Sequence, residues 1–180
     1  MGKMLRNATV HDVPQIGEII SSHAEVGRML FKSHQQLYES LRDFAVYVER
    51  DKVVGCVGLT VIWADLAEVR SLAVDRKYQG QGIGRKLVQW TIDEARRLQI
   101  KRVMSLTYEQ AFFEKLGFAV VSKESLPLKV WSDCVACLKR DDCDEIAMLL
   151  TLEDVSEATQ PKPQPTPKGY HIPQLPLDED

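Results

Sequence analysis

The sequence predicts an α/β domain, a mixed β-sheet with helices packed on it. Three observations carry that reading. Segments with a two-residue hydrophobic period alternate with segments of helical period. Several strands precede the first long helix, which argues against a purely alternating βαβ chain. A glycine-rich segment then joins a strand to that long helix.

Leu5 to Thr9 reads as a short first strand. Asp12 follows as an N-cap with Pro14 in the first turn, and Val13, Ile16, Ile19 and Ile20 repeat at helical spacing. A second helix runs from Ser33 through Leu37 and Leu41. Phe44 to Glu49 alternates in the strand manner, Asp51-Lys52 is a tight turn, and Val53 to Val61 is a buried strand. Glu68 to Val74 alternates again. After the glycine-rich loop, a helix from about Ile83 to Leu98 keeps its period at positions 83, 87, 88, 91, 92, 95 and 98. Val103 to Thr107 is a strand, Gln110 to Leu116 a short helix, Phe118 to Ser122 a strand, and Ile146 to Leu150 a closing strand. One domain is expected over residues 4–152, with a cysteine-rich segment at 131–145 inside it.

Composition sets limits on function. The chain has 180 residues, is 44% hydrophobic and 27% charged, and carries a net charge of −3. That balance excludes a nucleic-acid binder that works mainly through phosphate contacts. The longest near-apolar stretch, Val53 to Ala64, has 12 residues and is too short to span a bilayer. With no apolar run behind Met4-Leu5-Arg6, the chain reads as cytoplasmic, reduced and soluble. Residues 153–180 differ: six of the eight prolines lie between Pro161 and Pro176, and six acids against two lysines give this part −4 and leave +1 on the rest. Alternating prolines favour an extended, solvated tail; a docking peptide is the other reading.

The segment Tyr78 to Arg85, Tyr-Gln-Gly-Gln-Gly-Ile-Gly-Arg, carries the most chemistry. Its glycines let backbone N–H groups approach a ligand, and the following helix supplies unpaired donors and a positive dipole end. Arg85 and Lys86 in the first turn are unfavourable for the helix itself, and an anion explains them better than stability does. A dinucleotide fingerprint fails because position 85 is Arg, and no Gly-Lys-Ser/Thr triplet follows for a nucleoside triphosphate. A glycine-rich connection with no ligand is the alternative.

Gln79-x-x-Gly82-x-Gly84, preceded by Leu72-Ala73-Val74, resembles the acetyl-CoA motif of the GNAT superfamily of N-acetyltransferases. Phe113-Glu114-Lys115-Leu116-Gly117-Phe118 resembles the second recurring segment of that superfamily. The resemblance implies a sheet splayed at two strands, acetyl-CoA as cosubstrate, and its pyrophosphate on the amides of Gln79, Gly80, Gln81, Gly82, Ile83 and Gly84, beside Arg85. Its pantetheine arm would pair with Leu72, Ala73 and Val74. Within the superfamily, Leu5-Arg6-x-Ala8-Thr9-x-x-Asp12, Leu30-Phe31-Lys32-Ser33, Val54-Gly55-Cys56-Val57-Gly58-Leu59 and Ala67-Glu68 are similar to the acetyltransferase domain of N-acetylglutamate synthases. That implies acetylation of the α-amino group of glutamate, or of glutamine, as in the first step of arginine biosynthesis. A different amine (a protein N-terminus, a polyamine, another amino acid) and a non-catalytic coenzyme A sensor are the rival readings. Dimers are common among similar enzymes; no symmetric interface is legible in this sequence.

Attack of an amine on a thioester needs a base, because an amino acid's ammonium is not a nucleophile. Glu68, four residues before Leu72, is the candidate; a strand glutamate facing solvent or pairing with Arg70 is the alternative. Backbone N–H groups near Leu72 and Ala73 would stabilise the oxyanion, as the resemblance implies. The position where the superfamily often places a tyrosine acid is Phe113 here. Tyr108 is a replacement or else a packed aromatic, with Thr107 and Ser105 as weaker options. An amino-acid substrate also needs a cation for its carboxylate. Lys32 with Ser33 stands where the synthases place an Arg beside a Ser, with Arg28 and Arg70 as alternatives; a lysine lacks the bidentate fork. Lys32 reads equally as an exposed loop lysine, and Ser33 as a helix cap. Finally, Cys134, Cys137 and Cys143 have spacing compatible with a structural zinc, with Asp133, Asp144, Glu145 or a distant His as fourth ligand. Reduced thiols or a redox pair fit the same spacing. No histidine spacing suggests a catalytic metal.

Overall fold

The structure, a computed structural model, describes residues 2–126 and 143–161. Among them, seven strands form one sheet: β1 (Lys3–Asn7), β2 (Phe44–Glu49), β3 (Lys52–Trp63), β4 (Leu66–Val74), β5 (Arg102–Thr107), β6 (Ala119–Val120) and β7 (Ile146–Thr151). Their spatial order is β1-β2-β3-β4-β5-β7-β6. Only β4 and β5 run parallel, so the sheet is mixed, as the sequence predicts. The helices are α1 (Val13–Ala24), α2 (His34–Glu39), α3 (Ile83–Arg97) and α4 (Gln110–Glu114).

The two-residue period of β2 sorts its side chains between two cores. Ala45 and Tyr47 join the core under α3, with Leu87, Val88 and Ile92. Phe44, Val46 and Val48 join the core under α1 and α2, with Ile16, Ile20 and Leu37. Helices on both faces bury this strand almost completely. Gly55 on β3 sets how closely α3 sits: a Cβ there would lie 3.1 Å from Leu87 and 3.2 Å from Ile83 and the Ala73 carbonyl.

Asp12 is not the side-chain cap of α1 that the sequence suggests. Its backbone is already helical, and its carboxylate turns back to accept from Thr9 N (2.7 Å) and from Arg6 Nη1 and Nη2 (2.6 and 2.8 Å). The reason is competition for the carboxylate: a bidentate guanidinium binds it more strongly than one helix N–H does. Burial works against the charged carboxylate, but Arg6 and the Thr9 N–H and O–H outweigh it and hold Asp12 at about 2. The folded state therefore binds this proton less tightly than the unfolded state. Its stabilisation is present above the ordinary carboxyl value of 3.8 and disappears as pH falls toward 2. A tenfold change in proton affinity is worth ~1.4 kcal/mol. Asp12→Asn is therefore expected to cost about 2 kcal/mol in urea denaturation at pH 7, and the gap from wild type should close in acid.

The packed chain runs past the boundary expected at residue 152. Val155 is buried in the α3 core, Asp154 Oδ2 accepts from Arg96 Nε at 2.7 Å, and Gln160 Oε1 accepts from Trp63 Nε1 at 2.7 Å. The later part of the proline-rich segment lies outside the described residues.

Candidate active site

Strands β4 and β5 start side by side and then part. Their pairing covers only Leu66–Glu68 against Arg102–Met104. Beyond it β4 follows β3 to Val74, while β5 follows β7 to Thr107. The wedge between them forms the middle of a cavity of about 1220 Å³, larger than the ~300–1,000 Å³ of a common single-ligand site. The wall of the wedge is bulged: Cys56 lies opposite Ala73 but Gly58 opposite Arg70, so β4 holds one extra residue there. Ser71 takes φ 51, an uncommon value for a residue with a Cβ. A bulge of this kind re-aims the backbone next to a site.

The glycine loop closes one end of the cavity. Gly80 and Gly82 have φ 74 and 76, and a Cβ on either would meet no protein atom within 4 Å. Gly82 is the N-cap of α3, which has neither a side-chain cap nor an acid in its first turn. The N-terminal donors of a 15-residue helix thus face open space with no anionic side chain of their own. Lys86 turns away and places Nζ 5.4 Å from the centre of the Tyr47 ring, while Arg85 lines the cavity. Open glycine amides, a bare helix N-terminus and one arginine fit a pyrophosphate.

Leu72, Val74, Gln79, Ile83 and Gly84 line the same cavity. Gln81 is exposed, and Ala73 points into the α1 core, as strand alternation requires. The Val74 carbonyl accepts from Gln79 Nε2 (3.1 Å) and from His23 Nε2 (3.0 Å), which fixes the His23 proton on Nε2.

Glu68 sits where the two strands separate, 8% exposed. Arg70 Nε lies 3.5 Å from its Oε2. Burial pushes the carboxyl up; Arg70 and Lys32 pull it down, Glu145 pushes it up, and the result is about 7. Lys32, in the loop before α2, is lowered by burial and by Arg70, against Glu68 and Asp43. Asp43 is raised by burial, against its hydrogen bond from Thr60 Oγ1 (3.0 Å) and the charges of Arg70 and Lys32. Glu68, Arg70 and Lys32 therefore stand together in the cavity wall.

Other candidates divide. Thr107 and Tyr108 line the cavity, and Thr107 Oγ1 accepts from Glu109 N at 2.9 Å. Ser33 caps α2, accepting from Gln36 N at 3.3 Å, and lines a smaller neighbouring pocket with Lys32. Arg28 is engaged by Glu109 at 2.7 Å on the cavity rim. Phe113 is buried edge-on between Phe112 and Phe118. Cys134 and Cys137 lie outside the described residues; Cys143 is a half-buried free thiol, and no cluster of three metal-ligating side chains occurs among the described residues. His23 and Asp43 are not legible in the sequence as site residues, because a strand carbonyl and a threonine far away in sequence place them.

The sequence profile of the acetyltransferase (GNAT) family matches residues 17–118, from α1 to the end of the second recurring segment. The chain belongs to the GNAT acetyltransferase family. As a GNAT acetyltransferase it uses acetyl-CoA as cosubstrate. It is 38% identical over 148 residues to an uncharacterized N-acetyltransferase of Chlorobaculum tepidum, covering 82% of this chain and 96% of that one. It is 37% identical over 134 residues to the amino-acid acetyltransferase of Mycobacterium tuberculosis, covering 72% and 76% respectively. A crystal structure of N-acetylglutamate synthase from Neisseria gonorrhoeae, complexed with coenzyme A and N-acetyl-glutamate, superposes with TM-score 0.76 at 27% identity. The match covers 84% of this GNAT chain and 35% of that larger one. No helix among the described residues is long and apolar enough to cross a membrane.

Proposed function

We propose that this acetyltransferase acetylates the α-amino group of a small amino acid, glutamate or glutamine. The observation that carries the reading is the meeting of Glu68, Arg70 and Lys32 at the point where β4 and β5 part. A zwitterion fits this charge pattern: its carboxylate goes to Lys32 and Arg70, and its ammonium goes to Glu68. A polyamine has no use for two cations in its acceptor site. The names of the Mycobacterium and Neisseria relatives, amino-acid acetyltransferase and N-acetylglutamate synthase, point the same way, and the proposal extends to a role in arginine biosynthesis.

The loop from Gln79 to Arg85 holds the pyrophosphate on backbone N–H groups and the α3 terminus. The edge of β4 from Leu72 to Val74 holds the pantetheine arm in the wedge. Acetyl-CoA supplies an activated acyl group. Glu68, as carboxylate, accepts the proton of the acceptor ammonium, and a pKa near 7 matches that task at neutral pH. The freed amine then attacks the thioester carbon. Backbone N–H groups near Leu72 and Ala73, beside the bulge, are the donors for the developing oxyanion. Tyr108 stands in the wall as proton donor to the leaving sulfur and takes the second proton from the nitrogen as the amide forms; a thiol pKa of about 8.5 demands little help.

The test is release of coenzyme A against a panel of amino acids, polyamines and peptides, with Lys32→Ala alongside. Selective turnover of glutamate or glutamine is expected, with the acceptor KM of Lys32→Ala raised about tenfold, the equivalent of ~1.4 kcal/mol, and kcat less affected. Turnover confined to peptides or polyamines overturns the acceptor assignment.

A further inference from the structure

Three elements meet at Gly84, in the first turn of α3. A Cβ placed there would lie 3.6 Å from Phe112 Cζ on α4 and 4.0 Å from Val74 Cγ2 at the end of β4. An exposed cation follows closely in each of the three segments. Arg76 comes two residues after Val74 and opens the short turn Arg76–Tyr78. Arg85 comes one residue after Gly84, and Lys115 comes three residues after Phe112, at the C-cap of α4. All three line the cavity. None of them pairs with a carboxylate among the described residues. The acids nearest to them in sequence are engaged elsewhere. Asp75 accepts from Lys52 Nζ (2.9 Å) and Lys77 N (3.0 Å), Glu109 from Arg28 Nη1 (2.7 Å), and Glu114 from Gln110 Nε2 (2.7 Å). We propose that Arg76 and Lys115 bind the 3′-phosphate of coenzyme A and make the enzyme select acetyl-CoA over its 3′-dephospho form.

The inference rests on the proposed place of the pyrophosphate at the glycine loop, and is independent of the acceptor. Each phosphorus of the pyrophosphate carries one negative charge. The 3′-phosphate is a monoester and adds about 1.5–2 more at pH 7. The loop amides, the α3 N-terminus and Arg85 suit the pyrophosphate. The monoester sits one sugar away from it, so its partners belong beside the loop and not within it. Arg76 stands just before the loop in the chain, and Lys115 flanks it from α4. Both side chains are exposed, so the packing of the cores does not require them. Cations gathered around one glycine also repel one another in the empty protein, and an anion among them relieves that repulsion. A phosphomonoester has oxygens for both: the fork of an arginine on one side and the point charge of a lysine on the other.

The test is calorimetric titration of the full chain with coenzyme A and with 3′-dephospho-coenzyme A, for wild type, Arg76→Gln, Lys115→Gln and the double variant. Wild type should bind coenzyme A about 25-fold more tightly than the dephospho form, about fivefold from each solvent-screened cation. Each single variant should shrink that ratio about fivefold, and the double variant should bind the two ligands alike. Because both side chains are exposed, the variants should melt like wild type. Phosphorus NMR of bound coenzyme A reads the contact directly. On wild type the 3′-phosphate should titrate below its usual value of about 6, because two cations favour the dianion, and on the double variant it should return toward that value. Equal affinity of wild type for the two ligands overturns the proposal, as does a preference that survives in the double variant. An equal loss for both ligands in the double variant also overturns it, by moving these cations to the pyrophosphate. Gly82→Asn tests the underlying reading separately: if it weakens neither ligand, the pyrophosphate assignment fails, while the ratio between the ligands still judges Arg76 and Lys115.

Discussion

Glu68→Gln should lower kcat by roughly 10²–10³-fold, the usual contribution of a positioned base, and leave acetyl-CoA affinity within about twofold of wild type. The same substitution should stabilise the fold. Burial raises the Glu68 carboxyl to about 7 from 4.5, so the folded state holds its proton more tightly than the unfolded chain does. Stability then falls as pH rises from 4.5 through 7 and stays low above that. At pH 8 the cost of keeping the charge buried is up to about 3 kcal/mol. Glutamine keeps the shape without the charge, so Glu68→Gln should melt higher than wild type at pH 8 and match it near pH 4. A site that gives up stability to hold a base in a dry wedge is a trade common to active sites. Loss of activity together with loss of stability would instead mark Glu68 as a structural partner of Arg70. Calorimetry at the two pH values, beside single-turnover kinetics, separates the two cases.

Gly82→Asn carries the second large effect. Asparagine tolerates the left-handed backbone that Gly82 adopts, and its Cβ meets no protein atom there. The fold should therefore lose no more than the roughly 1–2 kcal/mol that a Cβ costs in that conformation. The side chain would stand in the space before the α3 N-terminus, where the pyrophosphate sits. Loss of one or two charge-assisted contacts, at about 1.5–3 kcal/mol each, should raise the acetyl-CoA KM by about 10- to 100-fold. The acceptor KM should hardly change. A variant that melts like wild type and binds coenzyme A normally by calorimetry would show that the loop's glycines serve chain geometry alone.

Much of this molecule is legible in the sequence because its signals are local. Phe44 to Glu49 alternates within six residues, and both cores follow from that alternation. The loop at Gln79–Arg85 announces itself by glycines between a strand and a helix, and the structure leaves the space beside Gly80 and Gly82 open and the α3 start without a side-chain cap. Long-range features are hidden. Asp12 looks like a helix cap because a cap is a local pattern; Arg6, six residues earlier, wins it by a bidentate contact. The extra residue at Ser71 depends on the register between β3 and β4, which no single strand encodes. Glu145, at the end of the cysteine-rich segment, invites a metal reading, and the fold puts it in the cavity wall. Val155 looks like the start of a solvated tail, and burial against the α3 core holds it.

The most direct measurement is the identity of the product formed from acetyl-CoA and an equimolar mixture of amino acids, spermidine and a short peptide, read by mass spectrometry and NMR. An N-acetyl group on the α-nitrogen of glutamate or glutamine, absent when Glu68→Gln replaces the wild type, is the predicted result. Acetyl groups found only on spermidine or on the peptide, or an equal yield from Glu68→Gln, would contradict it.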